Sequence, residues 1–244
     1  MKILDTAVLL QANGTFQYLT GLPRYPDPQT LRRFLLHAPP EFRQQLHRFN
    51  DRLLRRFIHQ PEHRSRLILD LDSTGVTVFG RQEGAEVGYN PRYRGKRSYD
   101  PLLCLEANSS FLWDTELRPG NAGTWAGSDE LLASCLLSVP ADIRELREDY
   151  ALRKIPTRAF AANALYLEVV RLAYNLVTAF QRTCLPEGWQ FLTLSKLRHR
   201  LFWLPGELTR PQNRPALRLP GRPAIQEWTT HILHQVHKLK PLDG

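Results

Sequence analysis

Two aspartates, Asp70 and Asp72, end an apolar run and stand directly before a small-residue turn, Ser-Thr-Gly at 73–75. Leucine occupies every second position from 67 to 71, and this period of two predicts a β-strand. Both acids would then project from the same face at the carboxyl end of the strand. Carboxylate oxygens are the ligands that Mg²⁺ prefers. The plainer interpretation of Asp70 is that it only ends the strand, and a lone aspartate would bind Mg²⁺ poorly.

The strand that carries these acids lies in a region with further strand patterns. Residues 66–80 are predicted to form two strands joined by the small-residue turn, and 99–107 and 110–118 are predicted to form two more. In 110–118, strict alternation would place side chains on two faces: Phe111, Trp113, Thr115 and Leu117 on one, and Asp114, Glu116 and Arg118 on the other.

The region before residue 60 is rich in arginine and predicts two helices, at 30–37 and 41–59, separated by a pair of prolines. The longer helix has an apolar stripe with arginines around it. Two helices joined by a tight turn fit a DNA-binding helix-turn-helix. They also fit a helical hairpin that packs on the next domain, which is the plainer interpretation.

The second half of the chain is predicted to be mainly helical, with helices at 128–138, 141–153 and 158–182. The last of these is apolar on a broad face and is predicted to lie in the core. From residue 192 onward, basic residues alternate with prolines, which predicts a basic and partly irregular tail that ends in a helix at 224–239.

Composition indicates an anionic partner. The chain of 244 residues carries 33 Lys+Arg against 24 Asp+Glu. Arginine suits phosphate contacts, so nucleic acid is the first candidate partner, and an anionic membrane surface is the alternative. Three widely spaced cysteines give neither zinc spacing nor a disulfide framework, which fits a reducing cytoplasm. No apolar run is long enough to span a membrane or to serve as a signal peptide.

Several blocks of sequence, taken together and in order, carry a resemblance to a known family. The chain resembles DDE-type transposases of the IS4/IS1380 kind (transposase DDE domain group 1) over most of its length, with little contribution from 1–24 and the tail. The blocks are DLDST at 70–74, GRQEGA at 80–85, GYNP at 88–91, RGKRSYDPLL at 94–103, LRPGN at 117–121, IRELREDY at 143–150, FAAN at 160–163 and LAYNL at 172–176.

The resemblance implies an RNase H-like fold and cut-and-paste DNA transposition. In such enzymes three acids, Asp, Asp and Glu, hold two Mg²⁺ ions, which activate water or a 3′-hydroxyl for in-line displacement at phosphorus. The resemblance makes Asp72 the first catalytic acid and a metal ligand, makes Asp70 an accessory ligand, and makes Mg²⁺ the cofactor.

The remaining two acids of the triad are missing from the sequence. The family's Arg-x-Asp-Ser-Gly segment, which holds the second Asp, is absent, and Pro140 and Ala141 stand where the family has its Glu-Asn pair. We therefore predict an internal deletion with its junction near 139–141. Other acids that could substitute are Asp114, Glu116, Asp142, Glu145 and Glu148, although charge pairs on a solvated helix are the plainer role of those in 141–153.

The predicted fold class is α+β, with a partial RNase H-like core of three to four mostly antiparallel strands, flanking helices and a helical N-terminal segment. The predicted domains are a helical segment at 1–60 with a candidate role in DNA binding, the incomplete core at 61–185, and the basic tail at 186–244. Loss of strand four would expose the edge of the strand that carries Asp72, and such an edge favours pairing into a homodimer.

A basic, tyrosine-rich stretch follows the second strand and is predicted to contact the DNA backbone at transposon ends, with a solvated hairpin loop as the alternative. We predict a bacterial, nucleoid-associated protein of the cytoplasm that binds DNA but is catalytically dead. Residual Mg²⁺-dependent nuclease activity centred on Asp72, and a decay product without a role, are the alternatives. The predicted DNA-binding residues are Tyr89, Arg92, Tyr93, Arg94, Lys96 and Arg97.

Overall fold

The computed structural model describes residues 26–58, 69–90, 93–106, 109–123, 126–128, 131, 155–211 and 216–239, which form an α+β structure. Its helices are α1 (Pro28–His37), α2 (Pro40–Ile58), α3 (Phe160–Cys184), α4 (Leu194–Leu197) and α5 (Pro223–Lys238), with a π-helical turn at Arg198–Phe202. Its strands are β1 (Leu69–Ser73), β2 (Val76–Thr77), β3 (Glu86–Val87), β4 (Arg97–Tyr99), β5 (Leu102–Glu106), β6 (Leu112–Glu116), β7 (Glu207–Thr209) and β8 (Ala216–Arg218).

Four predicted helices are confirmed, with small shifts at their ends. The predictions at 30–37, 41–59, 158–182 and 224–239 correspond to α1, α2, α3 and α5. The helix predicted at 128–138 falls within the described residues only at Ser128 and Leu131, and the one predicted at 141–153 falls outside them.

The main sheet orders its antiparallel strands β1-β5-β6, and α3 packs across one face. Leu103, Leu105 and Leu112 of the sheet meet Leu167 and Val170 of α3 in the principal core cluster. Fully burying a leucine contributes about 1.5–3 kcal/mol, so this layer is a main source of stability. The prediction that the long helix lies in the core is therefore confirmed.

A β-bulge breaks the alternation predicted for 110–118. Leu105 lies opposite Leu112, but Cys104 lies opposite Asp114, so Trp113 is an extra residue in β6. After the bulge the two faces of the strand exchange. The prediction that Phe111 and Leu117 share a face is therefore wrong, because Leu117 joins the principal core cluster, whereas Phe111 packs beside α2.

The second sheet has the order β2-β4-β3. The two strands predicted for 66–80 are confirmed as β1 and β2, but they belong to different sheets. The run predicted at 99–107 likewise contributes to both sheets, as the end of β4 and as β5. The amide of Thr74 donates to the carbonyl of Pro101 at 3.2 Å, which joins the two ladders where the chain passes from one sheet to the other.

Two glycines allow the segment after β6 to lie directly on the second sheet. A Cβ at Gly88 would overlap the carbonyl oxygen of Gly120, and a Cβ at Gly120 would lie 2.7 Å from the carbonyl oxygen of Glu86. Both contacts are with backbone atoms, which cannot swing aside. The sequence blocks GYNP and LRPGN therefore meet because neither glycine has a side chain.

Replacing Gly120 by alanine should lower the free energy of unfolding by at least about 2 kcal/mol, because the new methyl group has no space. Gly123→Ala is the matched control, since a Cβ there would meet nothing within 4 Å, and it should change stability by less than about 0.5 kcal/mol. Urea denaturation followed by circular dichroism measures both. Equal stability of the two variants would contradict the close approach.

The N-terminal helices pack on the core. Asp27 caps α1 by accepting a hydrogen bond from the amide of Gln29 at 2.7 Å, and Pro28 follows at the first helical position. The two helices contact α3, and Leu53 and Leu54 of α2 are buried. This is the packing expected of a helical hairpin, and a role of 1–60 in DNA binding stays a prediction.

The basic tail has more regular structure than its proline content predicts. Strands β7 and β8 form a hairpin, and α5 packs against α3. A cluster of Leu185, Leu197 and Ile232 closes this region, with Trp189 and Trp228 packed against it. Scattered apolar residues, rather than a continuous pattern, direct the fold of this part of the chain.

Candidate functional site

The two predicted metal ligands lie on β1, and both are exposed. Asp70 lies opposite Leu105, and Asp72 lies opposite Leu103, in the ladder with β5. Directly opposed residues of an antiparallel ladder share a face, so both acids lie on the face that α3 covers. They remain exposed because β1 is an end strand of the described sheet, pairing there with β5 alone.

Acids that could complete a metal site do not converge on Asp72 within the described residues. Strand β5 separates β1 from β6, and neighbouring strands lie about 4.8 Å apart, so Asp114 and Glu116 start from a backbone roughly 10 Å away. Glu116 also lies opposite Leu102, on the other face from Asp72. The remaining candidates, Asp142, Glu145 and Glu148, lie outside the described residues.

One group of three potential metal ligands does meet in the described part of the chain, at His47, Asp114 and Glu168, whose ligand atoms lie within 4.8 Å of one another. The group joins three elements: α2 supplies His47, β6 supplies Asp114, and α3 supplies Glu168. The Nδ1 atom of His47 is 3.2 Å from Oε1 of Glu168 and 3.7 Å from Oδ1 of Asp114. Neither Asp70 nor Asp72 belongs to this group.

An arginine already supplies the positive charge of this group. The guanidinium of Arg171 lies 3.3 Å from Glu168, 3.5 Å from Asp114 and 3.1 Å from Asp51. We refer to His47, Asp51, Asp114, Glu168 and Arg171 as the Arg171 cluster. Because the guanidinium lies among the carboxylates that a divalent cation would need, the cluster does not fit Mg²⁺ and acts as an ion-pair network.

Backbone carbonyls at the bulge of β6 also bind Arg171. Its Nε donates to the carbonyl of Leu112 at 3.4 Å, and Nη2 donates to the carbonyl of Trp113. The side chain is 1% exposed, and the network tied to it holds α2 and β6 against α3. A buried, fully paired arginine fixes the relative positions of the elements it joins.

The Glu168 carboxylate raises the pKa of His47 through a hydrogen bond. Burial and the charge of Arg171 oppose this rise. Nδ1 also lies 2.9 Å from Arg171, and it cannot both accept from the guanidinium and donate to the carboxylate. The form of His47 in which Nδ1 donates to Glu168 agrees with the lowered pKa of that carboxyl. Burial acts to raise the pKa of Glu168, but the contacts with His47 and Arg171 lower it overall.

Stability should fall as pH rises from about 6 to 8, because the pKa of His47 is above its usual 6.5 in the folded state. The favourable contact with Glu168 is complete below the unfolded pKa and disappears as pH passes the folded one. The pair is partly exposed, so the change should be about 1 kcal/mol or less. Urea denaturation across this pH range measures it, and His47→Gln should flatten the profile. An unchanged slope in that variant would contradict the assignment.

The predicted DNA-binding residues lie in the basic loop, residues 88–97, which runs from the end of β3 to the first residue of β4. Buried Asn90 anchors the loop: its Nδ2 donates to Oγ1 of Thr77 at 2.8 Å, and its Oδ1 accepts from the amide of Tyr93 at 3.0 Å. A turn from Tyr93 to Lys96 follows, with Gly95 at a φ of 71°. The loop is thus built on the second sheet rather than projecting from it unsupported.

Apart from Asn90, most side chains in the described part of the basic loop are open to solvent. Arg92 lies outside the described residues, so nothing about its position bears on the prediction. In the described part of the chain, the loop cations have no carboxylate partner. The predicted DNA-binding residues that the structure describes are all exposed; they are Tyr89, Tyr93, Arg94, Lys96 and Arg97.

Two other sequence blocks, GRQEGA and FAAN, contact each other, and their contact supports the fold. Glu83, in the GRQEGA block, accepts a hydrogen bond from the amide of Phe160 at 2.9 Å and so caps α3, where a negative charge suits the helix dipole. Asn163, in the FAAN block, donates to the hydroxyl of Tyr99 at 3.3 Å and accepts from Thr157. These blocks fix the start of α3 on the second sheet.

Sequence reasoning missed the Arg171 cluster. The signal was available in α3, where Glu168 and Arg171 stand three residues apart inside an otherwise apolar helix. Charged residues are almost never fully buried unless they are paired. Their partners on α2 and β6 are more than fifty residues away in sequence, and only the folded chain brings them together.

Comparison with known proteins identifies the family. The profile described as transposase DDE domain group 1 matches residues 26–139 and 138–241. No curated protein matches the chain, and no solved structure matches it. In the part of the chain that the structure describes, no helix is long and apolar enough to cross a membrane. Because the two matched segments span most of its length, the chain belongs to the transposase DDE domain group 1 family.

Proposed function

We propose that this protein is a transposase-derived DNA-binding protein that no longer cuts or joins DNA. Its DNA partner would be a transposon end, held through backbone contacts. The observation that carries the proposal is the combination of family membership with an exposed Asp72 that belongs to no group of three potential metal ligands among the described residues. The family supplies the DNA partner, and the lack of a three-ligand group around Asp72 in the described part of the chain argues against two-metal chemistry.

The way the family profile matches supports an internal deletion. The match is divided into two segments, and their boundary at residues 138–139 lies beside the junction inferred near 139–141. The second Asp and the Glu would lie in the missing part. We infer a truncated relative of IS4/IS1380 transposases, encoded by a mobile element in a bacterium and acting in the cytoplasm on the nucleoid.

The fold supports an incomplete RNase H-like core. An antiparallel β1-β5-β6 sheet with a long helix across one face fits the first three strands of such a core, with Asp72 on the first strand. In a complete core a fourth strand would pair with the open side of β1. Among the described strands that edge has no partner, which supports pairing with a second copy of the chain in a homodimer.

Residual Mg²⁺-dependent nicking centred on Asp72 is the second candidate, because acids in 132–154 lie close in sequence to the junction. The DDE family implies a divalent metal, which Asp72 and Asp70 would hold. The described residues do not complete that ligand set, so no catalytic step is derived from it. A decay product without a role is the third candidate, and DNA binding distinguishes it from the first.

The proposal is tested by the salt dependence of DNA binding. Fluorescence anisotropy with a labelled duplex should show binding that weakens steeply as salt rises, with a log–log slope of about −0.9 for each phosphate neutralised. Absence of binding at low salt, from protein shown to be folded, would overturn the proposal.

A further inference from the structure

Exposed aromatic rings lie in and beside the basic loop, and phosphate contacts alone do not explain them. Phe79 is 78% exposed, Tyr89 is 90% exposed, and Tyr93 is 45% exposed. Scattered apolar residues on a surface are ordinary, but adjacent aromatic rings on one sheet mark a binding surface. Phe79 ends the segment that follows β2, and the two tyrosines belong to the loop between β3 and β4.

The rings of Phe79 and Tyr93 form a corner. Their centroids lie 6.1 Å apart, and their planes meet at 81°. Rings in this edge-to-face arrangement cover little of each other, so a flat molecule can stack on one and touch the other. Hydrogen bonds hold the backbone at both positions: the amide of Val78, next to Phe79, donates to the carbonyl of Arg97 at 3.0 Å, and the amide of Tyr93 donates to Oδ1 of Asn90 at 3.0 Å.

Cations lie close in the sequence to both rings of this corner. Arg94, Lys96 and Arg97 follow Tyr93 directly, and Arg81 follows Phe79 by two residues; all four are exposed. Glu86 on β3 is an exposed acid of the same sheet, so the surface keeps a net positive charge. Flat apolar faces beside unpaired cations complement a ligand that carries both flat rings and negative charges.

We propose that Phe79 and Tyr93 form a stacking platform for unpaired bases of single-stranded DNA, with Tyr89 as an additional ring. This inference rests on the proposed DNA-binding function and specifies the form of DNA. Every base has a π-face that can stack on an aromatic ring, and the loop cations would hold the phosphates beside it. In a duplex the base faces are covered by their neighbours, so the platform distinguishes an unpaired end from a closed helix.

The test uses a duplex with a short unpaired overhang, the same duplex with blunt ends, and a fluorescent adenine analogue in the overhang. The protein should bind the overhang duplex about tenfold more tightly than the blunt one and should quench the analogue on stacking. Phe79→Leu and Tyr93→Leu should each remove most of this preference, whereas Phe79→Tyr should retain it because the ring remains.

The matched control is Phe191→Leu. Phe191 is 84% exposed but lies beyond the far end of α3, where the carbonyl of the next residue, Leu192, accepts from Gln181. The Phe191→Leu substitution should therefore leave the preference for the overhang unchanged.

The outcomes separate this inference from the proposed function. Quenching and overhang preference that Phe79→Leu removes and Phe191→Leu retains would support the platform. Equal binding of overhang and blunt duplexes, or a preference that survives both platform substitutions, would overturn the platform and leave DNA binding intact. No binding to either duplex would overturn both.

Discussion

Replacing Arg171 by methionine should lower the free energy of unfolding by about 3–5 kcal/mol. The substitution removes the guanidinium charge between Glu168 and Asp114, which are almost fully buried, and leaves partly exposed His47 as the cation beside their carboxylates. It also removes the Arg171 donor from the carbonyl of Trp113 and from that of Leu112, which keeps the bond from Asn175. Because the Arg171 cluster joins α2 to α3, the N-terminal helices should loosen first. Urea denaturation gives the magnitude, and hydrogen exchange locates the loss.

Two further variants make this prediction specific. Arg48→Met removes an arginine that is exposed on α2 and should change stability by less than about 0.5 kcal/mol. Adding Glu168→Met to Arg171→Met should recover part of the loss, since it removes one of the buried carboxylates that have lost the guanidinium. A loss below about 1 kcal/mol for Arg171→Met would mean that the cluster is solvated and does not fasten α2 to the core.

Changing Arg94, Lys96 and Arg97 together to alanine should weaken duplex binding on the order of a hundredfold at low salt. Each cation is exposed on the basic loop and has no carboxylate partner in the described part of the chain, so each is free to contact a phosphate. The log–log dependence of affinity on salt should become shallower by about 0.9 for each phosphate that the variant no longer neutralises. Anisotropy titrations at several salt concentrations measure both quantities.

An equal change of charge elsewhere provides the control. Lys196, Arg222 and Lys238 are exposed in the basic tail, and their joint replacement by alanine lowers the net charge by the same amount. If this tail variant loses as much affinity and salt dependence as the loop variant, DNA binding reflects overall charge rather than the basic loop.

The regular elements of the fold could be predicted from the sequence because their patterns are local. The apolar faces of α2 and α3 repeat at helical spacing, and the leucines of β1 repeat every second residue. The bulge at Trp113 could not be predicted, since an extra residue in one strand is recognisable only from its register with β5. The hairpin of β7 and β8 was also missed, because prolines and arginines obscure short strands.

The candidate sites likewise include one that the sequence reveals and two that only the folded chain reveals. The basic loop follows from residue type alone, since consecutive cations and tyrosines are visible in the sequence. The corner of Phe79 and Tyr93 depends on the pairing of β2 with β4, which brings residues fourteen apart into contact. The Arg171 cluster depends on contacts between α2, β6 and α3 and has no local pattern. Contacts between residues far apart in the sequence therefore form the corner and the cluster, and local periodicity does not reveal them.

The central claim, that this protein binds DNA without cutting it, is tested most directly by incubating it with supercoiled plasmid and Mg²⁺ or Mn²⁺, beside an Asp72→Ala variant. We predict that wild-type protein and variant both retard the plasmid on a gel and leave it supercoiled after the protein is removed. Metal-dependent nicking by the wild type that Asp72→Ala abolishes would contradict the account and would show that other acids complete a metal site around Asp72.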